Sequence, residues 1–279
     1  MSDQTVIWVD GERADALPLP DRGLDFGDGL FETLLLERGQ PRYTELHLQR
    51  LQRGLAVLSF PECLAVVSEQ LQQVLTDPLV YNLSRAALRL TVTRGDGPRG
   101  YAPPEIPQVR IIIRVNELPD NDGSLPPPAQ LVIANSRWGC QPQLAGIKHL
   151  NRLEQVLAAA EWQRARVDEA LMLGQAAQLV SVTAGNLFLL RDGVLHTPVL
   201  DDCGIAGTRR QLVVERWAGA IGLRVVESRL GLEAMEQADE VFYSNTLWGL
   251  RPVASCGARH WVSHPVCNAL YQQYRGDGV

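Results

Sequence analysis

Of the 26 basic residues in this 279-residue chain, 25 are arginine and one, Lys148, is lysine. Arginine stays protonated and cannot form an imine. A lysine amine can lose its proton to desolvation or a nearby cation and then condense with a carbonyl. The count alone leaves two readings, a surface amine and a covalent catalyst. Lys148 lies in AGIKHLNRLEQVL, read as the mouth of a helix running from about 149 to 166, with Leu150, Leu153 and Leu157 burying one face. His149 reads as a packing or hydrogen-bonding neighbour. In DDCGIAGTRRQLVVERW, a loop with Gly204 and Gly207 runs directly into an amphipathic helix. Backbone N–H groups at such a start, with the helix dipole, suit a phosphate dianion. An ordinary glycine loop ahead of a helix has the same pattern.

Two further patterns carry less. RGDGPRGY matches GxGxxG at Gly95, Gly97 and Gly100. A dinucleotide fingerprint must also open a helix, and Tyr101-Ala102-Pro103-Pro104 does not, so that site is rejected. The glycines instead let a loop approach a ligand and present Arg94, Arg99 and Tyr101. Cys256, His260, His264 and Cys267 form a C-x3-H-x3-H-x2-C run. Zinc accepts those atom types, but the spacing is not that of a finger and crosses a strand, a loop and a helix start, so no metal is expected.

The elements that must position these residues alternate irregularly. Asp10-Gly11, Arg38-Gly39 and Asp192-Gly193 mark tight turns, the first and last of them hairpins. Helices are expected at ELHLQRLQRGLAVL, capped by Thr44, at about 64–76, at about 208–221, near 231–236 and from Pro265, capped by Ser263. Strands are expected near 86–94 and 109–115 and at QLVIANS, DEALML, NLFLLRDGVLHT, LRVVES and DEVFYS. ELPDNDGSLPPP is the best linker. The expectation is an α+β or mixed α/β pair of domains: a smaller one over 1–116, a linker over 117–128 and a larger one over 129–279.

Composition bounds the function classes. The hydrophobic fraction is 46% and the charged fraction 21%, ordinary for a soluble globular chain. A net charge of −6 argues against nucleic acid or an anionic membrane as the main partner. No apolar run approaches a membrane span, and no signal peptide is visible. The five scattered cysteines fit reduced thiols in the cytoplasm.

Taken together, the segments from DRGLDFGDGLFET to DEVFYSNT resemble, in order, the fold-type IV pyridoxal 5'-phosphate enzymes, the class-IV aminotransferase family. RGDGPRGY and LAGIKHLNRLEQVLA are similar to its 4-amino-4-deoxychorismate lyase branch. The resemblance implies a D-amino-acid-aminotransferase-like two-domain fold and a homodimer with active sites near the subunit interface. It makes Lys148 the imine-forming lysine and general base. Arg50, Thr208, Arg209 and Thr246 would hold the cofactor phosphate. Where the family has a glutamate for the pyridine nitrogen, five residues before Asn186, this chain has Ser181. A carboxylate there favours the pyridinium, whereas a hydroxyl only hydrogen-bonds, so the substitution favours elimination over transamination. The implied reaction converts 4-amino-4-deoxychorismate to 4-aminobenzoate and pyruvate. Arg99 and Tyr101 are the candidates for holding that dicarboxylate. The alternatives are an aminotransferase acting on branched-chain or D-amino acids, and a non-catalytic homologue that binds the cofactor.

Overall fold

Three turns in the mirror-image conformation shape the sheets, as the Asp-Gly and Arg-Gly pairs require. Asp10 and Gly11 have φ of 51° and 89°, Arg38 and Gly39 53° and 71°, and Asp192 and Gly193 50° and 73°. The computed structural model describes residues 5–277. It divides into two compact units. The first runs to Asp122 and includes Ile147–Asn151; the second takes in Gly123–Gly146 and the chain from Arg152 onward.

In the first unit, β1 (Thr5–Val9) turns into β2 (Glu12–Arg13), and the short helix α1 (Arg22–Phe26) leads to β3 (Gly29–Glu37) and β4 (Gln40–Pro41). Helices α2 (Thr44–Val57), α3 (Leu64–Leu75) and α4 (Pro78–Tyr81) precede β5 (Arg85–Thr93) and β6 (Arg110–Glu117). The strands form one antiparallel sheet in the order β2-β1-β6-β5-β3-β4. β5 alternates half-buried and buried positions as a one-sided strand should, while β3 is buried along nearly its whole length. Leu51 and Leu55 of α2 and Val67, Leu71 and Val74 of α3 are buried. Each such side chain contributes roughly 1.5–3 kcal/mol. Thr44 does not cap α2: Tyr43 is the N-cap residue, and Thr44 is the first helical residue, its hydroxyl donating back to the Pro41 carbonyl at 3.5 Å.

In the second unit, β7 (Ala129–Trp138) connects through α5 (Leu153–Ala165) to β8 (Glu169–Gly174), followed by β9 (Leu179–Val182), β10 (Asn186–Arg191) and β11 (Val194–Pro198). Next come α6 (Thr208–Leu212), a π turn over Val213–Trp217, α7 (Ala218–Ala220) and β12 (Arg224–Ser228). The chain ends with α8 (Leu232–Gln237), β13 (Glu240–Asn245), β14 (Gly249–Cys256), β15 (Arg259–His260) and α9 (Pro265–Gly276). The sheet order is β12-β11-β10-β13-β14-β7-β8-β9, with β15 beside β14. Val182, at the end of β9, bridges to Gly185 next to β10, so the sheet curls back on itself. Two of its parallel pairs, β7–β8 and β11–β12, are joined through helices. The connections leaving the carboxyl ends of β7 and β11 carry the lysine and the glycine loop, the strand ends at which α/β sheets place ligands.

Several local expectations are corrected. α5 begins at Leu153, and residues 149–152 are not helical. Its buried residues are Gln155 and Ala158, while Leu153 is 77% exposed and Leu157 60%. Its start lacks a side-chain cap, and it takes the register that Ala158 needs to pack with Ala134 and Trp138 of β7. α9 is entered from His264, with no cap from Ser263. No helix is long and apolar enough to cross a membrane among the described residues.

Candidate active site

In the first unit, Lys148 is held in an extended segment along the edge of β3. Its carbonyl accepts from the Phe31 amide at 2.9 Å, the Leu150 amide donates to the Gly29 carbonyl at 3.0 Å, and His149 bridges to Leu30. Two glycines of the FGDG stretch make room for it. Gly27 ends α1 at φ 66°, and a Cβ there would lie 2.6 Å from the Asn151 Oδ1. A Cβ on Gly29 would lie 2.5 Å from the Val92 carbonyl oxygen and 2.9 Å from a Leu150 methyl. The Lys148 Nζ stands 4.4 Å from the centre of the Phe31 ring, and the Arg89 guanidinium 3.8 Å from the same centre. The half-buried amine therefore stands at an aromatic face that also carries the Arg89 guanidinium.

Arg50 projects from α2 onto Glu32 of β3. Its Nε donates to Glu32 Oε1 at 2.8 Å and its Nη2 to Oε2 at 2.5 Å, while His47 Nδ1 lies 2.7 Å from Oε2. Burial by itself would raise the Glu32 carboxyl, but the Arg50 charge, aided by the hydrogen bonds of Arg50 and His47, holds it down to about 2. The sequence reading missed Glu32. Its one visible signal is a charge inside the otherwise apolar run GLFETLLL.

The RGDGPRGY residues separate. Arg94 is not presented to a ligand: it is buried, donating to Asp28 at 2.8 Å and to the carbonyls of Leu58 and Ser59, and stacked on Phe60. Arg99 and Tyr101 are exposed. Arg22 of α1, overlooked in the sequence, gathers their loop by donating to the carbonyls of Gly100, Tyr101 and Ala102 at 3.1, 2.9 and 3.2 Å. Its Nε is fixed by Asp28 at 2.9 Å. A cleft of about 360 Å³ opens between α1 and this loop, lined by Arg22, Asp25, Phe26 and Arg99 among others.

The second unit brings together three of the phosphate candidates. Helix α6 begins at Thr208 with no side-chain cap. Arg209 Nη1 donates to the Thr208 hydroxyl at 3.1 Å and its Nη2 to the Thr246 carbonyl at 3.4 Å. The turn at 246 is set by Asn245, whose Oδ1 accepts from the amides of Leu247 and Trp248. Asn186, opening β10, clasps the loop before α6 by donating to the Ile205 carbonyl at 2.8 Å and accepting from the Gly207 amide at 3.1 Å. Ser181 lies on β9, 4% exposed, its oxygen accepting from Trp138 Nε1 at 2.9 Å. Trp138 was not singled out in the sequence.

The cysteine–histidine run makes no cluster. Among the described residues, no three His, Cys, Asp or Glu side chains are grouped to hold a metal. Burial pushes the Cys256 thiol up to about 11, and burial and then Glu240 push that of Cys267 well above its ordinary value. Both thiols therefore stay protonated.

The family model for amino-transferase class IV matches residues 29–256, from the start of β3 to the end of β14. The chain belongs to the class-IV aminotransferase family. Within it, the chain is 32% identical over 256 residues to the aminodeoxychorismate lyase of Vibrio harveyi, covering 91% of this chain and 92% of that one. It is 29% identical over 249 residues to the D-alanine aminotransferase of Listeria innocua, covering 87% and 83%. The crystal structure of 4-amino-4-deoxychorismate lyase from Pseudomonas aeruginosa superposes with a TM-score of 0.87 at 38% identity, covering 97% of this chain and 98% of that one. The mixed α/β architecture with its curled sheet is the fold-type IV architecture. The matched span contains Glu32, Arg50, Lys148, Ser181, Thr208, Arg209 and Thr246.

Proposed function

We propose that this class-IV family member is a pyridoxal 5'-phosphate-dependent lyase that converts 4-amino-4-deoxychorismate to 4-aminobenzoate and pyruvate. The observation that carries the reading is the placement of the chain's single lysine: main-chain hydrogen bonds to β3 pin it, with its amine against Phe31. The second unit offers features that fit the cofactor. An uncapped helix start carries Thr208 and Arg209 together with the Thr246 turn, and Ser181 is a buried hydroxyl that makes one hydrogen bond and only accepts in it.

Lys148 would carry the cofactor; Thr208, Arg209 and Thr246, with Arg50, would hold its phosphate. Ser181 would meet its ring nitrogen. When bound, the cofactor withdraws electrons from the substrate's amine-bearing carbon. Once the substrate's own amine has taken its place on the cofactor, the freed Lys148 amine would take the proton from that carbon as general base. The adjacent C–O bond breaks, its electron pair leaving with the enolpyruvyl group that becomes pyruvate, and the ring becomes aromatic. Arg99 and Tyr101, on the loop that Arg22 holds, would bind the carboxylates. Glu32, itself held by His47, fixes the Arg50 guanidinium and so orients it.

The relatives that support this reading include an aminotransferase, and an activity on D- or branched-chain amino acids is its rival. A transaminase needs a keto-acid acceptor, whereas the lyase releases both products from one substrate. We further infer a homodimer, supported by the apolar strip of Leu153, Val156 and Leu157 exposed on α5. A cytoplasmic setting is supported by five cysteines that are all unpaired. The deciding experiment incubates purified protein with enzymatically generated aminodeoxychorismate. The wild type should yield 4-aminobenzoate and pyruvate in equal amounts, and Lys148→Ala should lose both that turnover and the near-visible absorbance. Turnover by the variant would defeat the reading.

A further inference from the structure

From the Trp138–Ser181 pair, we infer that this chain holds the ring nitrogen of its cofactor unprotonated, as a hydrogen-bond acceptor. This inference rests on the cofactor reading above and deepens it at one atom. An indole Nε1 carries a hydrogen and no available lone pair, so it can only donate. At 2.9 Å from Trp138 Nε1, the Ser181 oxygen must therefore be the acceptor. That contact uses a lone pair and leaves the hydroxyl proton free. The Ser181 hydroxyl makes no other hydrogen bond among the described residues, and at 4% exposure the residue has little access to water. Leaving a buried donor without an acceptor is destabilising. The proton is accordingly available to a ligand acceptor.

The surroundings favour the same polarity. Ser181 stands opposite Met172 on β8, and Trp138 packs with the buried side chains of Ala134, Ala158, Ala170, Met172, Val180 and Cys203. The Cys203 thiol is held protonated, first by burial and then by Asp202. A cation stands at the indole: Arg152 lies 5.3 Å from the centre of the Trp138 ring, and the carboxylates of Glu154 and Asp202 lie within electrostatic reach of Cys203 in the same cluster. A cation over the ring draws electron density from it and strengthens Nε1–H as a donor. It also disfavours a second positive charge nearby. A pyridinium at Ser181 would need an acceptor, and would still leave the serine proton unsatisfied. A neutral pyridine nitrogen accepts that proton and satisfies both groups.

The consequence is a weaker electron sink than a carboxylate partner would give. An elimination that ends in an aromatic ring has its own driving force and tolerates this. An amino-group transfer, which must leave charge on the cofactor long enough to be reprotonated there, is suppressed.

The test loads the protein with pyridoxal phosphate carrying ¹⁵N in the ring and reads the nitrogen resonance near neutral pH. The wild type should show the resonance of a neutral, hydrogen-bonded pyridine. Ser181→Ala should move it towards the neutral nitrogen without a hydrogen bond, and Ser181→Glu towards the pyridinium. A wild-type resonance already at the pyridinium position, or one unmoved in Ser181→Ala, would overturn the inference. If the labelled cofactor does not stay with the wild-type protein through gel filtration, the cofactor reading itself falls and takes this inference with it. Trp138→Phe removes the enforced donor. It should let the hydroxyl turn and shift the resonance while the circular dichroism spectrum stays native; an unshifted resonance counts against the pair.

Discussion

Glu32 shows how one buried charge can organise a half-site. Its carboxylate is held by Arg50 and His47, all three almost wholly buried. Because its folded pKa lies at about 2, below an ordinary value of 4.5, its contribution to stability is complete above that ordinary value. It is lost as the pH falls through the folded one, and amounts to something on the order of 3 kcal/mol. Glu32→Gln should therefore destabilise the protein at pH 7 in urea unfolding, and the gap from wild type should close between pH 4.5 and 2. A gap that persists in acid would mean that packing, not charge, is lost. The sequence could not supply this pairing. The partners stand 15 and 18 residues away on another element, and a single glutamate in an apolar run does not announce what neutralises it. Lys148, by contrast, was legible because it is unique in composition.

The segment around Lys148 shows what element-level reasoning catches and misses. Leucine spacing suggested a helix from residue 149. Pairing of 148–150 with β3 instead runs through backbone amides and carbonyls, which carry no side-chain signature. The complementary signal is the FGDG stretch, whose glycines the sequence displayed without saying what approaches them. Gly29→Ala sets a methyl against the Val92 carbonyl, which sits in the β3–β5 ladder and cannot easily yield. The substitution should cost about 1–3 kcal/mol, and the amides of Phe31 and Leu150 should exchange faster with solvent. Unchanged exchange would show that the docking does not depend on that close approach. β14 was legible only at its Cys256 end, for a different reason. Pro252 lies within it, and proline argues against a central strand. The pairing with β7 begins only at Val253, so the strand has an open side where the proline stands.

For the whole molecule, the mixed α/β class and most strands could be read from turn residues and alternation. Burial on α5 could not. Leu153, Val156 and Leu157 look like core by spacing, yet they are 77%, 61% and 60% exposed in the single chain. Periodicity reports an apolar face without saying whether the chain itself or a second copy covers it. Sedimentation should find a dimer, and Leu157→Glu should shift it towards monomer at the same protein concentration. A monomeric wild type would remove the support this strip lends to assembly.

The chain lends Ile147–Asn151 to the first unit between two stretches that belong to the second. A cut at the proline-rich linker therefore does not yield two self-sufficient halves. The front half alone would present the Gly29–Phe31 margin of its sheet with open amides and carbonyls, an invitation to self-association. Anyone recombining halves of related enzymes should move this pentapeptide with the front half, although it is encoded behind the linker.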